Sequence, residues 1–296
     1  MKYFLVFLCF FSISTQLFSQ KIRARIIGKN TKKTIPYCSI TNTKKTIGVT
    51  SNENGWFFIK DIGVYDSLLI SSLGYKTSRI SVNADLDSVL YLTEEPVQLA
   101  EVKVLQNRIS VVGISKRRSE GSFGGVFDSN YELAVFMPNQ KSINASIIEV
   151  AFYIVHDGIY NTPFRVKFYK NNDGEIGEEI NKKDIICKAY KANHWNKFDL
   201  TKYKLNMPEE GCFVAMEWLN VTIEKYKYAL IKEDKEEKKG FGQVIGMATD
   251  AEILSCFYRE NQGEWKSGRT IFQVQSNKFL ELPTTYTPMM RTTVQY

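Results

Sequence analysis

Histidine is nearly absent from this 296-residue chain, which has two, His156 and His194. Their contexts are His-Asp-Gly-Ile and His-Trp-Asn-Lys. A hydrolytic zinc needs three protein ligands and an open position, and the His-x-x-Glu pair that would begin such a site is missing. Cysteine is scarce as well, five in all, and no two stand as Cys-x-x-Cys. That spacing excludes a zinc ribbon and a thioredoxin-type redox centre. No Gly-x-Ser-x-Gly elbow offers a serine nucleophile, and no Walker or dinucleotide glycine fingerprint offers a phosphate cradle. Beyond the first twenty residues, no apolar run approaches the roughly 18 residues of a membrane helix. The charge excess is small, 39 Lys and Arg against 32 Asp and Glu. Without a basic motif it is no argument for nucleic acid, and none is expected as a partner.

What the chain does have is aromatic residues, 13% of the total. Aromatic and β-branched side chains suit a pleated, half-buried surface, so composition favours β structure. The first residues, MKYFLVFLCFFSISTQLFSQ, place Lys2 before an apolar core from Tyr3 to Ile13, then the small Ser19. This is the pattern of a secretory leader, with cleavage expected near Ser19 and residues 1–19 removed. Cys9 lies inside the apolar core behind Phe7 and Leu8, where a lipidation motif would place small residues. The four other cysteines are Cys38, Cys187, Cys212 and Cys256. In an exported protein they can pair in three ways, and sequence does not choose among them. Cys38 and Cys212 stand in apolar runs, where a free thiol behaves as a small hydrophobe.

Residues 21–28, KIRARIIG, alternate Ile22, Ala24 and Ile26 with Lys21, Arg23 and Arg25, a strand with one wet side. PYCSITNT and TIGVTSN read as further strands. Asn54-Gly55 supplies positive φ for a tight hairpin turn, and WFFIKDI follows as an apolar block expected either to be buried on both faces or to set one face against a neighbouring sheet. DSLLISSLGYKT, RISVN, SVLYLT and LAEVKVL complete eight short strands with turn signals between them, the mark of a small antiparallel sandwich.

This stretch resembles the carboxypeptidase-regulatory-like domain. The resemblance rests on Gly28 ending the first strand, the Pro36 to Ser39 entry and the Ser51-Asn52-Glu53-Asn54-Gly55-Trp56-Phe57 turn. The Ser71-Ser72-Leu73-Gly74-Tyr75 step and the Leu99-Ala100-Glu101-Val102-Lys103-Val104 exit belong to it too. It spans about residues 21–105 and implies a seven-stranded, transthyretin-like sandwich. The family often forms the N-terminal extension of TonB-dependent receptors and of other exported Gram-negative proteins. Fewer than 200 residues follow, so the chain is not expected to be such a receptor. The resemblance implies no peptidase activity, since the zinc ligands are missing.

Residues 106–130, rich in Gly, Ser and basic side chains, read as a solvated linker. From 131 the β pattern resumes. SIIEVAFYIV places Ile148, Val150, Phe152 and Ile154 on one face. PFRVKFYKN sets Phe164, Val166 and Phe168 against Arg165, Lys167 and Tyr169. CFVAMEWL places Glu217 opposite the face of Cys212, Val214, Met216 and Trp218. Such a carboxylate either faces solvent or is held by a partner such as Arg165. The expected architecture is therefore all-β, a leader 1–19, a first sandwich 20–105, a linker 106–130 and a second, jelly-roll-like β-sandwich 131–296. FRVKFY, WNKFDLTKY and GCFVAMEWL resemble a C-terminal region often joined to this N-terminal module in exported proteins without an assigned activity. Residues 223–240 carry charges of mixed sign and read as an exposed loop or hairpin tip.

Candidates for chemistry are few. Asn171, Asp173 and Glu175 in KNNDGEIGEE are spaced like part of a calcium loop, but a Gly-rich hairpin turn accounts for them with fewer assumptions. Trp195 and Trp265 stand in polar contexts, ANHWNK and GEWKSG, and are the candidates for a binding surface together with His194. Trp56 and Trp218 read as core. No metal and no cofactor are expected. The leading expectation is an exported, non-enzymatic binding or scaffolding protein of the Gram-negative envelope, in the periplasm or at the outer-membrane or cell surface, docking an envelope protein or a glycan. An alternative is a cell-wall or polysaccharide hydrolase using carboxylates of the second domain, drawn from Asp199, Glu209, Glu210 and Glu217. A third is an accessory subunit of a surface assembly.

Overall fold

The computed structural model describes residues 20–62, 67–82, 87–95, 108–124, 130–141, 145–221, 227–229, 239–249, 254–268 and 286–296. The leader 1–19, the LAEVKVL and TIFQVQS segments and most of the charged stretch 223–240 lie outside these residues. The described chain is almost entirely β. Among the described residues, the helical turn is the short 3-10 element Thr201–Tyr203, and no helix is long and apolar enough to cross a membrane.

Among the described residues the first sandwich holds seven strands: β1 (Gln20–Gly28), β2 (Ser39–Asn42), β3 (Gly48–Thr50), β4 (Trp56–Ile62), β5 (Ser67–Ser71), β6 (Ser78–Ser81) and β7 (Asp87–Leu92). They form a three-stranded sheet in the order β4-β1-β7 and a four-stranded sheet in the order β3-β2-β5-β6. β1 runs antiparallel to β4 and parallel to β7. The alternation of β1 sends Ile22, Ala24 and Ile26 into a core with Ile40, Phe57, Ile59, Leu68 and Ile70.

One expectation about the SNENGWFF stretch is corrected. The turn does not close a hairpin, because β3 and β4 lie in different sheets; it carries the chain from one sheet to the other. Asn52 holds this corner, its Oδ1 accepting the N–H groups of Asn54 and Trp56 at 2.9 and 3.0 Å. Gly55 has φ +72°, and a Cβ there would come within 2.9 Å of the Ile26 carbonyl. The apolar block takes the second of its two expected forms, one face against the neighbouring sheet. Phe57 and Ile59 point inward, while Trp56 and Phe58 are half-buried on the outer side. Arg23 and Arg25 lie over the Trp56 ring, 4.8 and 5.9 Å from its centre. The basic side chains of β1 thus cover the outward aromatic of β4.

The second sandwich contains β8 (Ile109–Gly113), β9 (Gly121–Gly124), β10 (Tyr131–Met137), β11 (Ala145–Ile154), β12 (Pro163–Asn172), β13 (Glu175–Glu179), β14 (Ile185–Lys188) and β15 (His194–Asp199). It continues with β16 (Leu205–Met207), β17 (Cys212–Trp218), β18 (Lys227–Ala229), β19 (Lys239–Phe241), β20 (Val244–Thr249), β21 (Cys256–Glu260), β22 (Lys266–Ser267), β23 (Tyr286–Pro288) and β24 (Met290–Gln295). One sheet has the order β13-β12-β17-β10-β21-β22, with β14 also on β12. The other has the order β23-β20-β11-β24-β8, with β15 and β16 on β11 and β9 on β20. Phe164, Val166, Phe168, Val214, Met216 and Trp218 from the first sheet meet Val150, Phe152, Ile154, Ile245 and Met290 from the second. On β11 the inward residue before Val150 is Ile147 rather than Ile148, because a register shift between Ile147 and Glu149 moves the pattern by one.

The linker reading of 106–130 is also corrected. β8 pairs with β24, and β9 pairs with β20. The Lys116 carbonyl accepts a hydrogen bond from Trp195 Nε1 at 2.9 Å. A Gly- and Ser-rich stretch can be a strand where its backbone amides find a sheet edge, as Gly121–Gly124 do.

Candidate functional site

The aromatic candidates do not form one surface. Trp195 and His194 open β15 in one sheet, while Trp265 precedes β22 in the other. Both tryptophans are half-buried. Arg291 lies 4.1 Å from the centre of the Trp195 ring and Arg259 lies 4.3 Å from that of Trp265. A guanidinium therefore occupies one face of each ring. Tyr153 meets Trp195 edge-on, and Tyr169 does the same to Trp265. His194 is exposed and packs edge-on against Tyr190. The carboxylates considered for hydrolysis do not converge either. Asp199 ends β15 and caps the turn at Thr201 with a 2.9 Å hydrogen bond, Glu209 and Glu210 lie in the turn before β17, and Glu217 is buried within that strand. Asn171 Oδ1 accepts from the Gly174 amide at 2.8 Å, inside a β12–β13 hairpin. Among the described residues, no group of three or more His, Cys, Asp or Glu side chains is placed to hold a metal. Cys38, Cys187, Cys212 and Cys256 are unpaired, and burial pushes each thiol up to about 12.

What the fold does assemble is a buried ionic row on the outer face of the β12-β17-β10-β21 sheet. The register sets Arg165 beside Glu217, Glu217 beside Glu132 and Glu132 beside Arg259. Two acids would therefore stand side by side with a cation at each end. Lys167 resolves this conflict. Its Nζ lies 3.1 Å from Glu217 Oε2 and 3.4 Å from Glu132 Oε2. Arg165 Nη1 donates to Glu217 Oε2 at 2.7 Å, the partner foreseen from the strand pattern. Arg259 Nε donates to Glu132 Oε2 at 2.9 Å, and Tyr169 Oη donates to Glu132 Oε1 at 2.6 Å.

These groups are out of water, with exposures of 3% for Glu132, 4% for Arg165, 6% for Lys167 and 1% for Glu217. Burial alone would neutralise them, and the pairing decides the outcome. Burial raises the Glu217 carboxyl, but Arg165 and Lys167 outweigh it and hold Glu217 below the usual carboxylate range. Burial likewise opposes the charge on Arg165, yet Asp184 and Glu217 raise its affinity for the proton. Lys167 is raised in the same way by Glu132 and Glu217 against the opposing effect of burial. Arg259 is raised by Glu132 against the same opposing burial, so all three cations hold their protons.

The first sandwich sits over this row. Arg165 donates to the Tyr37 carbonyl and, at 3.3 Å, to Ser39 Oγ. Asn130 pins the two bodies together. Its Oδ1 accepts from Thr50 Oγ1 at 2.7 Å and from the Asn220 amide at 3.0 Å, and its Nδ2 donates to the Val49 carbonyl at 3.1 Å. Asn261 closes on Asn130 through two further bonds. A Cβ at Gly48 would fall 1.8 Å from Asn261 Oδ1, so this approach requires glycine.

Beside the clamp, the two bodies leave a cavity of about 460 Å³. Its floor is Arg165, Lys167 and Arg259 from the second sandwich. One wall is the β5–β6 loop, Ser71 to Tyr75 with Thr77, and the rim includes Glu95, Glu179 and Asp184.

Residues 22–104 match the CarboxypepD_reg-like domain. The regulatory-like domain is thus the first sandwich, and its β5–β6 loop, with the Ser-Ser-Leu-Gly-Tyr step, forms the cavity wall. No curated protein matches the chain. A solved structure, the cysteine protease and lectin-like domains of Cwp84, a surface layer associated protein of Clostridium difficile, aligns with 88% of this chain and 59% of that one. The identity is 9% and the TM-score 0.36, a level at which a common fold is not established.

Of the ionic row and the cavity above it, Arg165, Lys167 and Glu217 were legible in sequence, through the period-two alternation of β12 and β17. Glu132, Arg259 and the β5–β6 loop were not legible as partners of one site. Their own strands carry no sign of which neighbours the sheet order will give them.

Proposed function

We propose that this chain is an exported, non-catalytic binding or scaffolding protein of the Gram-negative envelope, and that it docks its protein or glycan partner at the cavity between the regulatory-like domain and the second sandwich. The observation that carries the reading is the cavity itself, with one wall from each body. Binding sites favour such junctions, since two preformed surfaces supply a concave site without distorting either. The leader pattern of residues 1–19 supports export. The hydrolase alternative has weaker support, because Glu217 and Glu132 are buried in ion pairs and hydrogen bonds with Arg165, Lys167, Arg259 and Tyr169.

Site-resolved photo-crosslinking in living cells tests this. A photo-reactive phenylalanine analogue replaces Thr77 at the cavity, or Tyr190 on the exposed face of the second sandwich. A discrete adduct from position 77, absent from position 190, is the expected outcome. Adducts from position 190 alone would place docking elsewhere and contradict the proposal.

A further inference from the structure

The groups lining the cavity point to one class of ligand. Three cations, Arg165, Lys167 and Arg259, face three acids, Glu95, Glu179 and Asp184. The lining therefore has no single-sign field to concentrate either an anion or a cation. Its hydrogen-bonding capacity is nevertheless not exhausted. Arg165 is already engaged, through Nη1 and Nη2 with Glu217, Ser39 and Tyr37 and through its buried Nε with Asp184 at 3.0 Å, whereas Arg259 uses Nε and Nη2 on Glu132 and Tyr169 and keeps its Nη1 protons among the described residues. Lys167 has three protons and two acid neighbours among the described residues. Among those residues Glu179 makes no ion pair, and burial raises its carboxyl despite the nearby Lys167. The floor thus has donors to spare and the rim has acceptors to spare.

A sugar hydroxyl uses both together. Its oxygen accepts from a cationic donor while its proton goes to a carboxylate, and the two bonds strengthen each other. A carboxylate or phosphate ligand satisfies the floor but faces the acids of the rim. An ammonium ligand satisfies the rim but faces the cations. The remaining wall supplies hydroxyls from Ser39, Ser71, Ser72 and Thr77, with Tyr75 the aromatic side chain of the lining. Recognition here works by hydrogen bonds rather than by ring stacking. At about 460 Å³, the space falls within the roughly 300–1,000 Å³ of small-molecule sites.

We infer that the cavity binds a neutral sugar segment, held between the Lys167–Arg259 floor and the Glu179–Asp184 rim. This rests on the reading of the cavity as the docking site and narrows it to one chemistry. In this arrangement the regulatory-like domain supplies half of a glycan site through its β5–β6 loop, and neither sandwich binds the sugar alone.

Isothermal titration calorimetry of the mature full chain provides the test. The neutral probes are maltotriose, cellotriose and chitotriose, and the charged probes are trigalacturonic acid and trilysine. Binding of at least one neutral trisaccharide at one site per chain is expected. Glu179→Gln, which keeps the shape but weakens the acceptor, is expected to reduce affinity by about tenfold or more. Thr77→Trp, on the exposed side of the wall and away from the ionic row, is expected to abolish binding while the thermal midpoint holds. The inference is overturned if no neutral trisaccharide binds, or if Thr77→Trp binds as well as the natural chain. Binding of a charged probe alone, lost in Thr77→Trp, overturns the sugar assignment and leaves the cavity as the docking site. Loss of the broader reading has a separate signature, the crosslinks from position 190 described above.

Discussion

Glu217 illustrates how single residues are constrained here. It has two cations in contact and is closed off from water, so removing its charge leaves Arg165 and Lys167 buried with too few acceptors. Glu217→Gln is expected to cost about 3–5 kcal/mol, the usual range for breaking a buried pair from one side, read from urea unfolding. The pH dependence has a definite sign. The carboxyl titrates below its usual 4.5 in the folded chain. Its contribution to stability is therefore complete above pH 4.5 and is lost as pH falls towards 2. The Glu217→Gln variant should show a shallower loss of stability across that acid window, and an unchanged acid limb would contradict the assignment. The Arg165–Glu217 pair was legible in sequence, because a lone carboxylate on an apolar strand calls for a cation and FRVKFY puts one on the matching face. The true surroundings of Trp195 and Trp265 were not. Polar neighbours in sequence suggested open rings, but Arg291 and Arg259 reach them from other strands.

At the level of elements, the alternation of β1, β12 and β17 was readable because a period of two survives any strand order. The corner at Asn52–Trp56 was not. Asn-Gly between two apolar runs is a hairpin signal, and whether the strands pair or part depends on the opposite sheet. β8 and β9 were hidden for a related reason: their residues look like linker until a distant edge, β24 or β20, offers hydrogen bonds. Asn130, between β9 and β10, holds β3 of the regulatory-like domain against the second sandwich. Asn130→Ala removes its side-chain bonds to Thr50, Val49 and Asn220, and is expected to cost about 1–3 kcal/mol. Differential scanning calorimetry should then show the unfolding of the two sandwiches separating into two transitions. A single transition at the natural midpoint would mean that Asn130 does not couple them.

Taken as a whole, the molecule is two sandwiches with separate cores, joined by polar side chains, a backbone bridge between Thr50 and Val221 and a small apolar cluster that takes in Tyr37, and enclosing a polar cavity. The fold class and the seven strands of the regulatory-like domain were legible from length, pattern and the family resemblance. The cavity was not, since its walls are drawn from residues 39–95 and 165–262 and come together only through long-range pairing. The regulatory-like domain is in this account a working half of a site rather than an appendage. The most direct test of that claim is recovery of the envelope partner or glycan by tagged mature chain from living cells, compared between the natural protein and Thr77→Trp. The natural chain is expected to retain its ligand and the Thr77→Trp chain, equally stable, to lose it. Equal recovery by both would show that the cavity between the sandwiches is not where this protein binds.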